Sequence, residues 1–492
     1  MRRKLQAFTA AFALGLALAG SALVAAPPSV AQTQASAPIA FGPSGDAGFD
    51  TWRADFAARA LAQGRSREVV TTLLSGLSPD PRAIRNDQSQ AEFVRAWWDY
   101  VERAVSPTRI AAGLAKRRED AAVFAAVAQR YNVDPGTIAG IWGIESNFGE
   151  AALPFEAPRA LATLAYEGRR RAQFETWLLA LMQMVERGYA GPSELRSSWA
   201  GALGQPQFMP DIYLTRAVDW DGDGRRDIWT NDADVIASIA NYLAQAGWRA
   251  GEPIFTEVRL PADFNYALAD RVMRPGTFWQ GQSLSLVEGS WNDTARALQG
   301  ELFLPAGANG PALLLHANFD VIRRYNPSDR YALAVALIGK RVEGGAGLSA
   351  PWPSHLRPLT NAMARDLQTG LNAAGHSVGT VDGVIGSGTR AGLRAFQIAR
   401  GIAPPDGFPT YAMVEAVRAA TTPAPDPALS RDQVRELQRL LTSLGYTPGA
   451  PDGRSGARTR AAVQAFERSL GRHTPTGRAT ASVLRAAREF SG

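Results

Sequence analysis

The sequence predicts a mainly α protein in which one large helical domain precedes two small three-helix domains. Three observations carry this. Between Phe49 and Gly344 the apolar residues recur at helical spacing, as in "DTWRADFAARALAQG" and "EDAAVFAAVAQRYNV". The C-terminal third then repeats itself at an offset of 70 residues without a gap. Segments rich in Pro, Gly and Ala, at 344–357 and 421–429, divide these parts. A chain of 492 residues suits two to four such domains.

The first 31 residues read as a secretory signal peptide rather than fold. Arg2, Arg3 and Lys4 precede a Phe/Ala/Leu run, and Ser29-Val30-Ala31 is a small-x-Ala cleavage site. An uncleaved anchor is the alternative, but the run is short for a span and ends in Pro27-Pro28. No other segment has the unbroken apolar length to cross a bilayer. The chain has no cysteine, which excludes disulfides and acylation of an N-terminal cysteine. The mature protein is therefore expected to be soluble and periplasmic, without a lipid anchor. Residues 32–47 read as a loose linker. The net charge of +6 is unevenly spread: residues 357–492 carry 17 Arg against 10 Asp plus Glu. Such a stretch fits either an acidic polymer partner or an ordinary solvated face. No nucleic-acid partner is expected.

The repeats are "LQTGLNAAGHSVGTVDGVIGSGTRAGLRAFQ" from Leu367 and "LQRLLTSLGYTPGAPDGRSGARTRAAVQAFE" from Leu437. The offset pairs Gln368 with Gln438, Asp382-Gly383 with Asp452-Gly453, and Phe396 with Phe466. Each copy reads helix, Asp-Gly turn, helix, with a short third helix. Two copies are too few for a solenoid, so they are expected as separate modules (358–420 and 430–491) on Pro-rich tethers. His376 is matched by Tyr446, so the copies share no metal site.

In the large domain, Asp134 can cap a helix whose first residue is Pro135. Ile138, Ile141 and Trp142 form its buried stripe, and the next stripe position is Glu145. Read blandly, Glu145 is a structural carboxylate paired with an arginine. Read as chemistry, apolar neighbours raise its pKa and keep it protonated as a general acid. Ser146, Asn147 and Gly149 end the helix, which puts Glu145 in its last turn.

"GIESNFG" resembles the catalytic motif of lytic murein transglycosylases. "SWAGALGQPQFMPDIYLTRAVDWDGDGRRDIW" and "NFDVIRRYNPSDRYALAV" resemble the following blocks of the membrane-bound lytic transglycosylase B family. The resemblance spans roughly 48–342 and implies a lysozyme-like helical catalytic domain (48–343) with Glu145 as sole acid/base. It implies a substrate cleft lined by Ser198, Gln207, Tyr242, Tyr325, Asn326 and Tyr331. Amides suit sugar hydroxyl and acetamido groups, and tyrosines stack on sugar faces. Each also has a plainer reading as turn, cap or core. The two repeats resemble peptidoglycan-binding domains.

"DWDGDGRRD" sets Asp219, Asp221 and Asp223 at positions 1, 3 and 5 of a calcium loop, with Gly224 at the sharp turn and the Arg225 carbonyl at position 7. Thr230 stands where an EF-hand needs Glu. The family resemblance implies a variant loop closed by Asp234. A structural calcium ion is expected, and no cofactor for the chemistry.

The expected function is cleavage of the β-1,4 bond between N-acetylmuramic acid and N-acetylglucosamine, leaving a 1,6-anhydromuramyl end. Murein glycan is the partner, and the protein is expected to act as a monomer. The alternatives are a hydrolytic muramidase, which would recruit a second carboxylate such as Glu150 or Glu156, and a non-catalytic wall-binding scaffold.

Overall fold

Helix Pro135–Ser146 lies at the centre of the main core, with nine of its residues buried. Asp134 caps it, accepting from the Thr137 amide. Its main neighbour is helix Asp329–Val342. The approach is close because glycines face it: a Cβ on Gly140 would lie 2.3 Å from the Val335 carbonyl oxygen, and one on Gly339 would lie 2.5 Å from the Gly136 oxygen. Helices Trp97–Ala104, Pro107–Glu119, Ala121–Tyr131 and Asp232–Gln245 pack around this pair.

The structure, a computed structural model, describes residues 37–88 and 96–491. The expected signal peptide lies outside the described residues.

The large domain is less purely helical than expected. Residues 255–315 contain a five-stranded antiparallel sheet, ordered Arg274–Pro275, Gln299–Phe303, Ala312–Leu315, Phe255–Arg259, Ser285–Leu286. Its register pairs Phe255 with Leu315 and Leu302 with Leu314. Strand alternation sends Leu313 and Leu315 into the main core, while Leu314 and Leu302 join Trp279 in a second core. Both faces are covered, so "ALLL" shows no alternation in sequence.

The repeats form the expected helices, Asn361–Ala373, Ser387–Ala399 and Tyr411–Thr421, then Arg431–Ser443, Ala457–Ser469 and Ala481–Ser491. The recurring Gln and Asp-Gly have a common cause. Buried Gln368 donates to Asp382 (3.0 Å) and Thr389 (3.2 Å) and accepts from the Gly383 amide (2.8 Å). Gln438 does the same with Asp452, Thr459 and Gly453. Each amide thus ties the turn to two helices while staying satisfied.

The expectation of tethered modules is corrected. Both repeats share a single apolar core, containing Leu367, Phe396 and Val417 from one and Leu437, Phe466 and Leu484 from the other. Across their junction the Ala412 amide donates to the Leu470 carbonyl (2.9 Å), and Arg472 bridges Glu467 and Glu415. Segment 344–357 is also seated: the Ser349 and Ala350 amides donate to buried Glu257 (2.9 Å), and Leu356 is buried. The first repeat meets the large domain, where Asp406 accepts from the Ala308 amide (2.8 Å). From Ile39 onward the described residues form one compact unit.

Candidate active site

Glu145 is in the last turn of its helix, and the chain leaves that turn abruptly. Asn147, Phe148 and Gly149 are all left-handed, with φ of 51°, 59° and 87°. Such a conformation is costly for phenylalanine and persists only where packing enforces it. Here Phe148 is buried edge-on against Trp142, with ring centroids 5.5 Å apart. Its ring fits because Gly143 and Gly113 carry no side chain: a Cβ on either would come within 2.8 Å of it. The packed turn holds the glutamate at the helix end, half-buried and facing the tyrosines.

Tyr331 donates its hydroxyl to Glu145 Oε1 at 2.7 Å. Burial raises the Glu145 pKa to about 7, and the Tyr331 hydrogen bond acts against that rise. Among the described residues no cation pairs with Glu145, so nothing there supports its bland reading as half of an ion pair. Nor does any carboxylate charge act on it. Glu150 is exposed and accepts from Asn147 Nδ2 (2.6 Å), while Glu156 is exposed opposite Arg196. Among the described residues the site therefore holds one carboxyl with a pKa raised to about 7 and no second carboxylate beside it.

The three predicted tyrosines form a row ending on Glu145. Tyr242 and Tyr325 have ring centroids 4.5 Å apart, and Tyr325 stacks at 6.4 Å on Tyr331. Their hydroxyls are fixed: Tyr242 donates to the Arg324 carbonyl (2.7 Å) and Tyr325 to the Pro206 carbonyl (2.5 Å). Phe208, whose ring lies near both Tyr242 and Tyr325, joins the glycine-rich loop to this row. Ser198 Oγ accepts from the Ala202 amide (3.2 Å) at the loop's start. Gln207, with φ of 54°, donates to the Gly204 carbonyl (2.8 Å) at its end. Asn326 follows the helix that carries Tyr325, and its side chain makes no hydrogen bond among the described residues.

Two residues escape the sequence reading. Gln205 is buried, accepts from Trp142 Nε1 (2.7 Å) and donates to the Trp229 carbonyl (3.0 Å), tying the loop to the glutamate helix. The buried indole N–H three residues before Glu145 was the available signal, since it requires an acceptor. Tyr100 is close enough that the Glu145 charge raises its pKa, after burial, the larger cause. Nothing local in "WWDYVERA" marks it.

The acidic loop is distinct from this cleft. Asp219, Asp221 and Asp223 present oxygens within 4.8 Å of one another. The Arg225 guanidinium pairs with Glu194 instead of relieving them, leaving its carbonyl for the loop. Three like charges with no ion-paired cation among the described residues fit a divalent metal. Asp234 does not join the converging three. It is buried beneath the loop, where its two oxygens accept from the Trp220 and Asp227 amides (2.7 Å each). It clamps both ends of the loop from below. Burial, helped by Asp221 and Asp219, raises its pKa to about 6 against those hydrogen bonds.

Residues 48–340 match the transglycosylase SLT domain model. The chain belongs to that family. A peptidoglycan binding domain model matches twice more, at 360–417 and 430–487. The membrane-bound lytic murein transglycosylase B of Escherichia coli K12 is 31% identical over 257 residues, half of this chain and 67% of that protein. SltB3 of Pseudomonas aeruginosa, solved with NAG-anhNAM-pentapeptide and with NAG-NAM-pentapeptide, is 42% identical. It covers 76% of this chain and all of its own, with a TM-score of 0.72. The Escherichia coli lytic transglycosylase Slt35, solved in complex with calcium, is 27% identical over 59% of this chain and 92% of its own (TM-score 0.51). This transglycosylase is thus an enzyme of peptidoglycan cleavage with two C-terminal peptidoglycan-binding repeats, and its catalytic part has the lysozyme-like fold. Among the described residues no helix is long and apolar enough to cross a membrane.

Proposed function

We propose that Glu145 alone carries both proton transfers of a lytic cleavage between N-acetylmuramic acid and N-acetylglucosamine. The observation that supports this is the half-buried glutamate with a pKa of about 7 and, among the described residues, no partner carboxylate. Protonated Glu145 gives its proton to the glycosidic oxygen as the bond from that oxygen to the muramyl C1 breaks. The carboxylate so formed takes the proton of the muramyl C6 hydroxyl, whose oxygen bonds to C1. A 1,6-anhydro ring closes, Glu145 is reprotonated, and no water is consumed. The substrate's own acetamido group supports the cationic C1, so the protein needs no nucleophile. Tyr331 offers its hydroxyl to the carboxylate form of Glu145 and so eases each ionisation.

In this reading the tyrosine row, Ser198, Gln207 and Asn326 line the sugar subsites. Asp219, Asp221, Asp223 and the Arg225 carbonyl would hold a calcium ion, which would neutralise the loop's charges and take no part in the chemistry. The enzyme works as a periplasmic monomer exported by residues 1–31. Mass analysis of products from purified sacculi tests the proposal: muropeptides one water lighter than lysozyme products, without a reducing end, are expected. Reducing muramic acid ends would make the enzyme a hydrolase, and no release would leave it a scaffold.

A further inference from the structure

Beyond the tyrosine row, the molecule carries a second concave feature where the first repeat meets the large domain. It comprises a cavity of about 600 Å³ and a neighbouring one of about 220 Å³, with Trp97, Ile385 and Arg390 lining both. Three guanidiniums here lack a carboxylate partner. Arg330 lies 5.4 Å from the centroid of the Trp97 ring and makes no ion pair among the described residues. Among the described residues Arg390 donates only to the Leu304 and Pro305 carbonyls, at 3.3 and 3.4 Å. Arg394 has a buried Nε without any hydrogen-bond partner. The acids in the same walls are engaged elsewhere: Asp270 by Arg274, Asp329 by Arg271 and Arg323, and Asp406 by backbone amides.

Drawing a guanidinium out of water is costly, and burial pushes the pKa of all three arginines down even though the Asp406 charge acts on Arg390 and Arg394 and the Asp270 charge on Arg394. Arginine keeps its charge regardless, so the energetic demand is for an anion. The crevice also adjoins the chemistry. Trp97 is one helical turn before Tyr100, the residue that feels the Glu145 charge, and Tyr100 in turn feels Arg330. An anionic group attached to a sugar near Glu145 would therefore enter an aromatic and guanidinium-lined space. Murein provides such a group: the carboxylates of the stem peptide on muramic acid.

We propose that Arg330, Arg390 and Arg394, with Trp97, form a subsite for the stem-peptide carboxylates of the strand being cut, making the first repeat part of the substrate site. This rests on murein being the substrate. In the second repeat the matching positions are Arg460, which is exposed, and Gln464, so that copy does not repeat the half-buried arginine pair. Guanidiniums bind carboxylates in forked pairs, which selects the peptide-bearing strand over bare glycan.

The test uses the full chain with Glu145→Gln, which binds without cutting. Affinities are measured for a soluble tetrasaccharide bearing stem peptides and for the same saccharide after amidase removal of the peptides. The stem-bearing ligand should bind at least about tenfold more tightly, the scale of one charge-assisted hydrogen bond. Arg394→Gln and Arg330→Gln should each bring that ratio towards one. The advantage should also shrink with added salt in the parent chain, a readout available even if a variant folds poorly. A ratio unchanged in both folded variants, or unaffected by salt, overturns the subsite. Failure of both saccharides to bind, with no anhydro product from the active enzyme, would instead overturn the substrate reading itself.

Discussion

Replacing Tyr331 with phenylalanine should move the alkaline limit of activity upward. The hydroxyl donates to Glu145 Oε1 at 2.7 Å and opposes the burial that lifts this carboxyl to about pH 7. Tyr331→Phe deletes that donor but leaves the ring that stacks on Tyr325. A hydrogen bond to a charged group contributes about 1.5–3 kcal/mol, and one pKa unit corresponds to about 1.4 kcal/mol. The Glu145 pKa should therefore rise by about one to two units. The acid must be protonated in the free enzyme, so kcat/KM is full below the pKa and falls above it. Initial rates of anhydromuropeptide release across the pH range should show the wild-type limb near 7. In Tyr331→Phe that limb should lie about one to two units higher. A limb that stays in place or moves to lower pH would refute the assignment of Glu145 as the titrating acid held down by Tyr331.

Glu145→Gln should abolish turnover, by at least about two orders of magnitude, yet stabilise the fold at alkaline pH. The folded pKa is about 7 against an ordinary 4.5, so the acid's contribution is intact below 4.5 and lost as pH rises through 7. Denaturant midpoints should thus favour the variant by up to about 3 kcal/mol at pH 8, with the gap closing near pH 4. Gln205→Ala leaves the buried Trp142 indole N–H unpaired and should cost about 1–3 kcal/mol by the same denaturation measurement. A chelator should lower the melting temperature relative to excess calcium, and Asp221→Asn should blunt the difference; identical curves with a metal-free protein would reject the ion. A chain ended at Gly344 strips Glu257 of the Ser349 and Ala350 amides and should melt lower, besides losing sacculus pull-down.

The position of the proposed acid was legible because its logic is local. A carboxylate on a buried helical stripe, followed by helix-ending residues, is visible at single-residue resolution. The hydroxyl that bonds the glutamate comes from 186 residues away, on Tyr331, and only the family resemblance points to it. Gln205 and Gln207 are two residues apart in the same loop, and nothing in the loop sequence says which amide faces inward. The sheet was hidden because Leu313 and Leu314 are buried on opposite faces in different cores, which removes the alternation that announces a strand. Asp234 shows a limit of resemblance: the family pattern implies a loop ligand, while in this structure its buried oxygens accept from two loop amides.

The misread tethers follow from treating Pro and Gly as marks of mobility, when they mark turns. Trp352 and Leu356 within the first segment were the counter-signal, since apolar side chains need somewhere to pack. Once packed, the two copies of the repeat no longer occupy equivalent places, and their differences follow from that. Arg390 is half-buried against the large domain, whereas Arg460 at the matching position faces solvent. Ile402 in the first copy corresponds to Arg472 in the second, which reaches Glu415 across the junction at 2.7 Å. Glu415 itself corresponds to Arg485, so the matching positions carry opposite charges and approach to 3.7 Å. Independent beads on a string would have no need of such complementary substitutions. A tether raises the local concentration of substrate; a seated repeat does more, because it fixes where the bound strand lies relative to Glu145. Substituting Arg472 with alanine should therefore weaken the junction without touching either repeat's Gln and Asp-Gly tie, and leave each turn intact while the pair loosens.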